Sequence, residues 1–209
     1  MAAGTYDFTI EQGTTWGRTF YFAQSGVGLV LPTTSTTSIT IDATAKTFTR
    51  DDVGGSWTDD GLTNGDYVVI SGCPESENNG SHLITTLTAT VITCSGSTLI
   101  DEVVSPVDTE EQFYILKAMD LTSYTGAAMI RKKYSSTAAS ATITVTFNAT
   151  RTTGGVVLSL TNTQTSAIPA GENSEVSASQ YVWDLELTKT LVVTRMLQGI
   201  VSVSPEATK

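Results

Sequence analysis

The chain is short of charge, cysteine, histidine and long apolar runs, and each shortage excludes a class of protein. Only 15% of its 209 residues are charged, against roughly 25% in an average globular protein. The few charges lean acidic, with 11 Lys and Arg against 21 Asp and Glu, for a formal net charge of −10. Phosphate-backbone recognition relies on clustered Lys and Arg that release counterions, so nucleic acid is not an expected partner. The single basic run, Arg131 to Lys133, reads as a solvated strand edge that discourages sheet-to-sheet pairing, with an anion site as the rarer reading. No apolar stretch approaches the ~20 residues of a membrane-spanning helix, and Met1 to Tyr6 lacks the basic and apolar regions of a signal peptide. The expectation is a soluble chain made in the cytoplasm, with no membrane partner.

Two cysteines, Cys73 and Cys94, are too few for a disulfide framework and lack CxxC or Cys/His zinc spacing. Each ends an apolar run, VVISGC and TVITC, which suits two small buried side chains. The alternative, a bridge between neighbouring strands, needs an oxidising medium. His82 is the sole histidine, and no Ser, Cys or Asp stands at a spacing that would make it part of a catalytic triad. Next to Leu83 and Ile84 it reads as strand packing.

Threonine, serine and glycine dominate instead. Threonine's branched Cβ suits a pleated surface and its hydroxyl solvates an outer face without charge, so the composition predicts an all-β protein. The clearest strand is Tyr181–Leu187, where Tyr181, Trp183, Leu185 and Leu187 alternate with Val182, Asp184 and Glu186 at the two-residue period of a half-buried strand. After Lys189 and Thr190 the alternation resumes through Leu197, Gly199, Val201 and Val203 until Pro205, which predicts a long closing hairpin. A hairpin alone is marginal in water, so its aromatic face requires an opposing sheet.

Candidates for that sheet are two strands in Thr5–Phe22 broken at Gly13, a strand through Ala128 and Ile130, ATITVTFNAT, and GGVVLSLT. The stretch TNTQTSAIPAG predicts one helical turn ended by Pro169 and Gly171. These elements add up to an immunoglobulin-like antiparallel β-sandwich formed by residues 1–32 and 112–209. Between them, residues 33–111 carry short apolar runs separated by Gly, Asn, Asp and Ser, the layout of a small antiparallel β-barrel or meander inserted at a loop.

Four further groupings bear on chemistry. Asp59, Asp60, Asn64 and Asp66 supply oxygen ligands for calcium, but the same residues are what tight turns demand, and the spacing of an EF-hand loop is missing. Asp101 with Glu102, and Glu110 with Glu111, resemble paired carboxylates, yet neighbours on a strand face opposite ways and would not share a cleft. Asn79 and Asn148 head glycosylation-type triplets, which mean nothing without secretion. Of Trp16, Trp57 and Trp183, only Trp57 looks like a loop residue; it reads as a plug at the end of a barrel, with a sugar platform as the alternative. No catalytic, metal, cofactor or ligand site is assigned from the residues, and an enzyme is the weakest reading.

The order of motifs YDFTIEQGTTWGRTF, DLTSYTGAAMIRKKY, VVLSLTNTQTSAIPAG, YVWDLEL and VTRMLQGIVSVSP resembles the small β-sandwich of tailed-bacteriophage virion proteins, including the N-terminal domain of phage baseplate upper proteins. The segment FTRDDVGGSWTDDGLTNGDYVVISGCPESENNGSHLITTLTATVITC is similar to a second phage β-module. The resemblance implies a non-enzymatic structural protein of a tail, baseplate or fibre adaptor, localised in the virion, homo-oligomeric and bound to other phage structural proteins. A capsid decoration protein is the first alternative, and a module that binds host-surface carbohydrate through exposed aromatics near Trp57 is the second. Neither pattern carries catalytic residues.

Overall fold

A computed structural model of the chain describes residues 3–96, 98–106, 112–170 and 178–205. The chain divides into two compact units, one formed by Met1–Phe20, Ser123–Phe147 and Val156–Lys209, the other by Tyr21–Thr122 and Asn148–Gly155. The described residues are all-β and sandwich-like, with two eight-stranded sheets.

The first sheet contains β1 (Gly4–Thr5), β2 (Phe8–Glu11), β3 (Trp16–Tyr21), β12 (Thr125–Arg131), β13 (Ala141–Phe147), β14 (Gly155–Leu160), β15 (Ser179–Lys189) and β16 (Val192–Ser204). Its order is β1-β16-β15-β12-β13-β14-β3, with β2 also on β16. β13 pairs with β12 through Ala141–Ile143 and with β14 through Thr144–Phe147. One strand thus changes partners halfway along, which is how a sheet turns a corner into a second layer.

The expected closing hairpin is β15–β16, paired antiparallel from Ser179↔Val203 to Lys189↔Val192. Tyr181, Trp183, Leu185 and Leu187 are all buried, as their alternation requires. Phe8 on β2 meets Trp183 edge-on at 5.2 Å and stacks on Trp16 of β3 at 4.2 Å, so the aromatics of Thr5–Phe22 cover Trp183. The indole also donates from Nε1 to the Tyr6 carbonyl at 2.8 Å, which satisfies its one polar atom.

Unlike its neighbours in this sheet, the N-terminal pair β1 and β2 runs parallel to β16, Gly4↔Leu197 and Phe8↔Val201. Between them the ladder is bridged by the Asp7 carboxylate, which accepts from the Ile200 amide at 2.7 Å. Gly199 makes the approach possible, since a Cβ there would collide with the Tyr6 carbonyl oxygen. The predicted helical turn is α1 (Asn162–Ser166), opened by a capping box in which Thr161 and Gln164 exchange side-chain and backbone bonds. Within it the Thr165 hydroxyl donates to the Thr14 carbonyl at 2.7 Å, and just beyond it the Ile168 carbonyl accepts from Gln12 at 2.6 Å.

The second sheet contains β4 (Ala23–Leu31), β5 (Ile39–Asp42), β6 (Thr47–Arg50), β7 (Tyr67–Ser71), β8 (Gly80–Leu87), β9 (Val91–Ser95), β10 (Glu102–Val104) and β11 (Phe113–Ala118). It is antiparallel throughout, in the order β10-β5-β6-β9-β8-β7-β11-β4. Leu31 and Phe113 from one end of the order and Ile39 and Val104 from the other join a single core with Phe48, Trp57 and Ile70, so the sheet curls around one interior.

Here the limits expected for the inserted part, 33–111, differ from the observed ones. β4 and β11, which the sequence pattern assigns to the outer fold, pair with each other and complete the second sheet. The physical reason is a close crossing. Gly28, at φ +106, runs so near β11 that a Cβ would collide with the Ile115 carbonyl oxygen. A glycine that looks like a turn signal is here the residue that lets β4 pair.

Candidate contact surfaces

The polar candidates in the second unit are consumed in holding loops. The Arg50 guanidinium grips the Asp52 carboxylate with two donors and reaches Asp60 at 2.6 Å, while its carbon lies 4.6 Å from the centre of the Trp57 ring. Arg50 is 5% exposed and Trp57 fully buried. The hydrogen bonds from Arg50 hold the Asp52 carboxyl below its ordinary range. This cluster, spread over TRDDVGGSWTDD, is not visible from composition; its signal is a lone arginine next to a short acidic loop.

Asp66 accepts from the Thr63 amide and hydroxyl at 2.9 Å and from Lys117 at 2.8 Å. Asp59 and Asn64 are exposed, and Gly61 and Gly65 take positive φ, so DDGLTNGD is built as a pair of turns. Among the described residues no group of three or more His, Cys, Asp or Glu side chains is placed to hold a metal ion.

The loop before β8 is clamped by its two asparagines. Asn78, fully buried, donates to the Ile100 carbonyl at 3.0 Å and to Glu102 at 2.7 Å, and accepts from the Ile100 amide at 2.9 Å. Asn79 brackets the Cys73 backbone, accepting from its amide at 3.0 Å and donating to its carbonyl at 2.8 Å. Asn148 is likewise a loop residue, donating to the Thr153 hydroxyl at 3.1 Å. Asp101 instead caps the Ala43 amide at 2.7 Å, so Asp101 and Glu102 serve different loops. Glu110 and Glu111 lie outside the described residues. His82 is buried against Phe48, with Nε2 3.1 Å from the Asn78 carbonyl, and burial lowers its pKa. Cys73 and Cys94 are buried free thiols whose burial pushes their pKa up to about 12, which leaves them poor nucleophiles.

In the first unit the β15–β16 hairpin carries the features that face outward. Its two-residue turn is Thr190–Leu191, with φ +48 and +66. Two positive φ values are the signature of a type I′ turn, which Asn-Gly or Gly-Gly makes easily and a β-branched threonine does not. At the tip, Leu191 is 96% exposed, Val192 65% and Val193 56%. Beside them the Lys189 ammonium sits 4.9 Å from the centre of the Tyr124 ring.

The outward face of β12 and β15 carries a groove of about 330 Å³, lined by Ala127, Met129, Tyr134 and Val182 together with Arg131, Asp184, Glu186 and Arg195. Arg195 spans the two carboxylates, 3.2 Å from Asp184 and 3.4 Å from Glu186. Arg131, from the basic run, turns its guanidinium to the Ser136 carbonyl at 2.8 Å and the Met129 sulfur at 3.2 Å. Burial raises the Asp184 pKa, with Arg195 and Arg131 opposing the rise and Glu186 adding to it.

The outward features of the hairpin are thus an exposed apolar tip and a shallow groove in which two carboxylates face two guanidiniums. Compared with known protein families and with curated proteins, the chain matches none.

Proposed function

We propose that the chain is a non-enzymatic structural subunit of a tailed-phage particle, acting through protein–protein contacts in the tail or baseplate, or as a fibre adaptor. The observation that carries this reading is the β15–β16 tip. Three aliphatic side chains stand in solvent on a turn whose backbone is strained for the residues it holds. Strain and exposed apolar area cost stability, and such features persist where a partner uses them. The ordered motifs of the outer strands, with their resemblance to virion β-sandwiches, supply the particle.

Capsid decoration remains the alternative placement, because the same contact surfaces serve either site. The carbohydrate reading loses support, since Trp57, its required platform, is buried under Arg50. The test is mass spectrometry of gradient-banded particles from cells that carry the gene. Peptides of this chain at a fixed ratio to the major particle proteins support the reading; their confinement to the soluble fraction overturns it.

A further inference from the structure

The two units divide the chain's charge unequally. The second, Tyr21–Thr122 with Asn148–Gly155, carries fourteen Asp and Glu against four Lys and Arg, while the first carries seven of each kind. The whole formal net charge of −10 therefore belongs to the second unit. Arg50 is spent there on Asp52 and Asp60, and Lys117 on Asp66. The exposed carboxylates of Asp42, Asp51 and Asp101 accept instead from the backbone amides of Ala45, Ser38 and Ala43, which fixes loops without cancelling charge. Asp59, Glu75 and Glu77 are exposed as well and add to the same field.

We infer that copies of the chain meet through the charge-balanced first unit, and that the acidic second unit stays solvated and takes no part in contacts between copies. This rests on the reading of the chain as an assembly subunit and deepens it by naming which half makes the contact. A surface with equal numbers of both signs faces a copy of itself without net repulsion, whereas two surfaces of strong like charge repel. The exposed apolar side chains point the same way. On the second unit, fully exposed Val53 follows Asp51 and Asp52, and exposed Val103 follows Asp101 and Glu102. Val103 lies on β10, an end strand in its sheet's order, and charges beside an exposed apolar residue guard such an edge against pairing with another copy. The first unit has no such guard at its most exposed stretch: Thr188–Met196 contains no Asp or Glu, and its charges are Lys189 and Arg195.

Two measurements on the full wild-type chain test this. In sedimentation velocity over a concentration series, the chain should form species larger than a monomer. Raising the salt from about 0.01 M to about 0.15 M shortens the screening length from roughly 30 Å to roughly 8 Å. Association should hold or strengthen over that range, by up to about tenfold, because the net charge being screened is the like charge of the second units. Hydrogen exchange followed by mass spectrometry, with the dilute chain compared to the associated one, should show added protection in peptides of the first unit and none in 21–122.

Association that weakens as salt rises would overturn the inference, since it would mean that carboxylates of one copy are held by cations of another. Added protection within 21–122 would overturn it too, as would association that protects nothing in the first unit, or a chain that stays monomeric at the highest concentration reached. A monomeric chain that is still found in banded particles would leave the virion reading standing and remove only this contact. Association through the first unit by a chain absent from particles would do the reverse.

Discussion

Replacing Arg50 by methionine should destabilise the second unit by about 3 kcal/mol. The side chain is dry and makes charge-assisted bonds to Asp52 and Asp60, and such bonds contribute about 1.5–3 kcal/mol each. Its position over the Trp57 ring adds about 0.5–2 kcal/mol. Against this, Asp52 and Asp60 keep 24% and 27% of their side-chain exposure and rehydrate once the guanidinium is gone. The net loss therefore falls near the low end of the ~3–5 kcal/mol for breaking a buried pair. Methionine retains most of the aliphatic stem, so the change isolates the charge.

The assay is urea unfolding of the full chain followed by tryptophan emission, with Asp60→Asn and the double variant completing a cycle. Acid provides a second arm. The folded-state pKa of Asp52 is lowered by Arg50, so its contribution is present above the unfolded value of about 3.9 and is lost as pH falls through the lower folded value. The wild-type chain should lose that stability below about pH 3.9, and Arg50→Met should have none of it to lose. A destabilisation under about 1 kcal/mol, the scale of an exposed ion pair, would refute the argument that the cluster is a buried lock.

Three other outcomes follow from the same geometry. Gly199→Ala should cost about 2 kcal/mol or more and speed hydrogen exchange in β1 and β2, because the methyl group collides with the Tyr6 carbonyl; unchanged exchange would mean the N-terminal strand is not held there. His82→Gln should flatten the pH dependence of stability below pH 6.5. Burial lowers the folded-state pKa, so the unfolded chain binds the proton more readily and the wild-type protein weakens as pH falls through that region; an unchanged pH profile in the variant would show that His82 does not carry the effect. Thr190→Asn with Leu191→Gly should raise the melting temperature, by relieving about 1 kcal/mol or more at each positive φ; a fall in melting temperature would show that the turn is not strained.

The period-two burial of Tyr181, Trp183, Leu185 and Leu187 was legible because a half-buried strand writes its register into the sequence. The α1 turn was legible for a local reason too, the Thr161 and Gln164 capping pair followed by Pro169. Elements set by distant neighbours were not. The full length of β4 is one of them: Gly26 and Gly28 are turn residues by type, and only β11 shows why Gly28 must lack a side chain. The run HLITTLTATVITC contains no Gly, Pro, Asn or Asp, yet it turns at Thr88–Thr90, where the Thr88 hydroxyl accepts from the Val91 amide at 3.0 Å in place of a glycine. The outward features of the β15–β16 hairpin were the least legible. Thr190 and Leu191 carry no turn signature, so the hairpin's pairing, and not its residue preferences, sets the tip. The partners of Asp66, Asn78 and Arg50 are likewise fixed by the fold rather than by spacing.

The central claim, a structural place in a phage particle, is most directly tested by immunogold labelling of intact particles with an antibody raised against the recombinant chain. The account predicts gold at the tail end, at the baseplate or fibre attachment, with label spread over the shell selecting capsid decoration instead. Particles that contain no epitope anywhere, in intact or gently disrupted form, would contradict it.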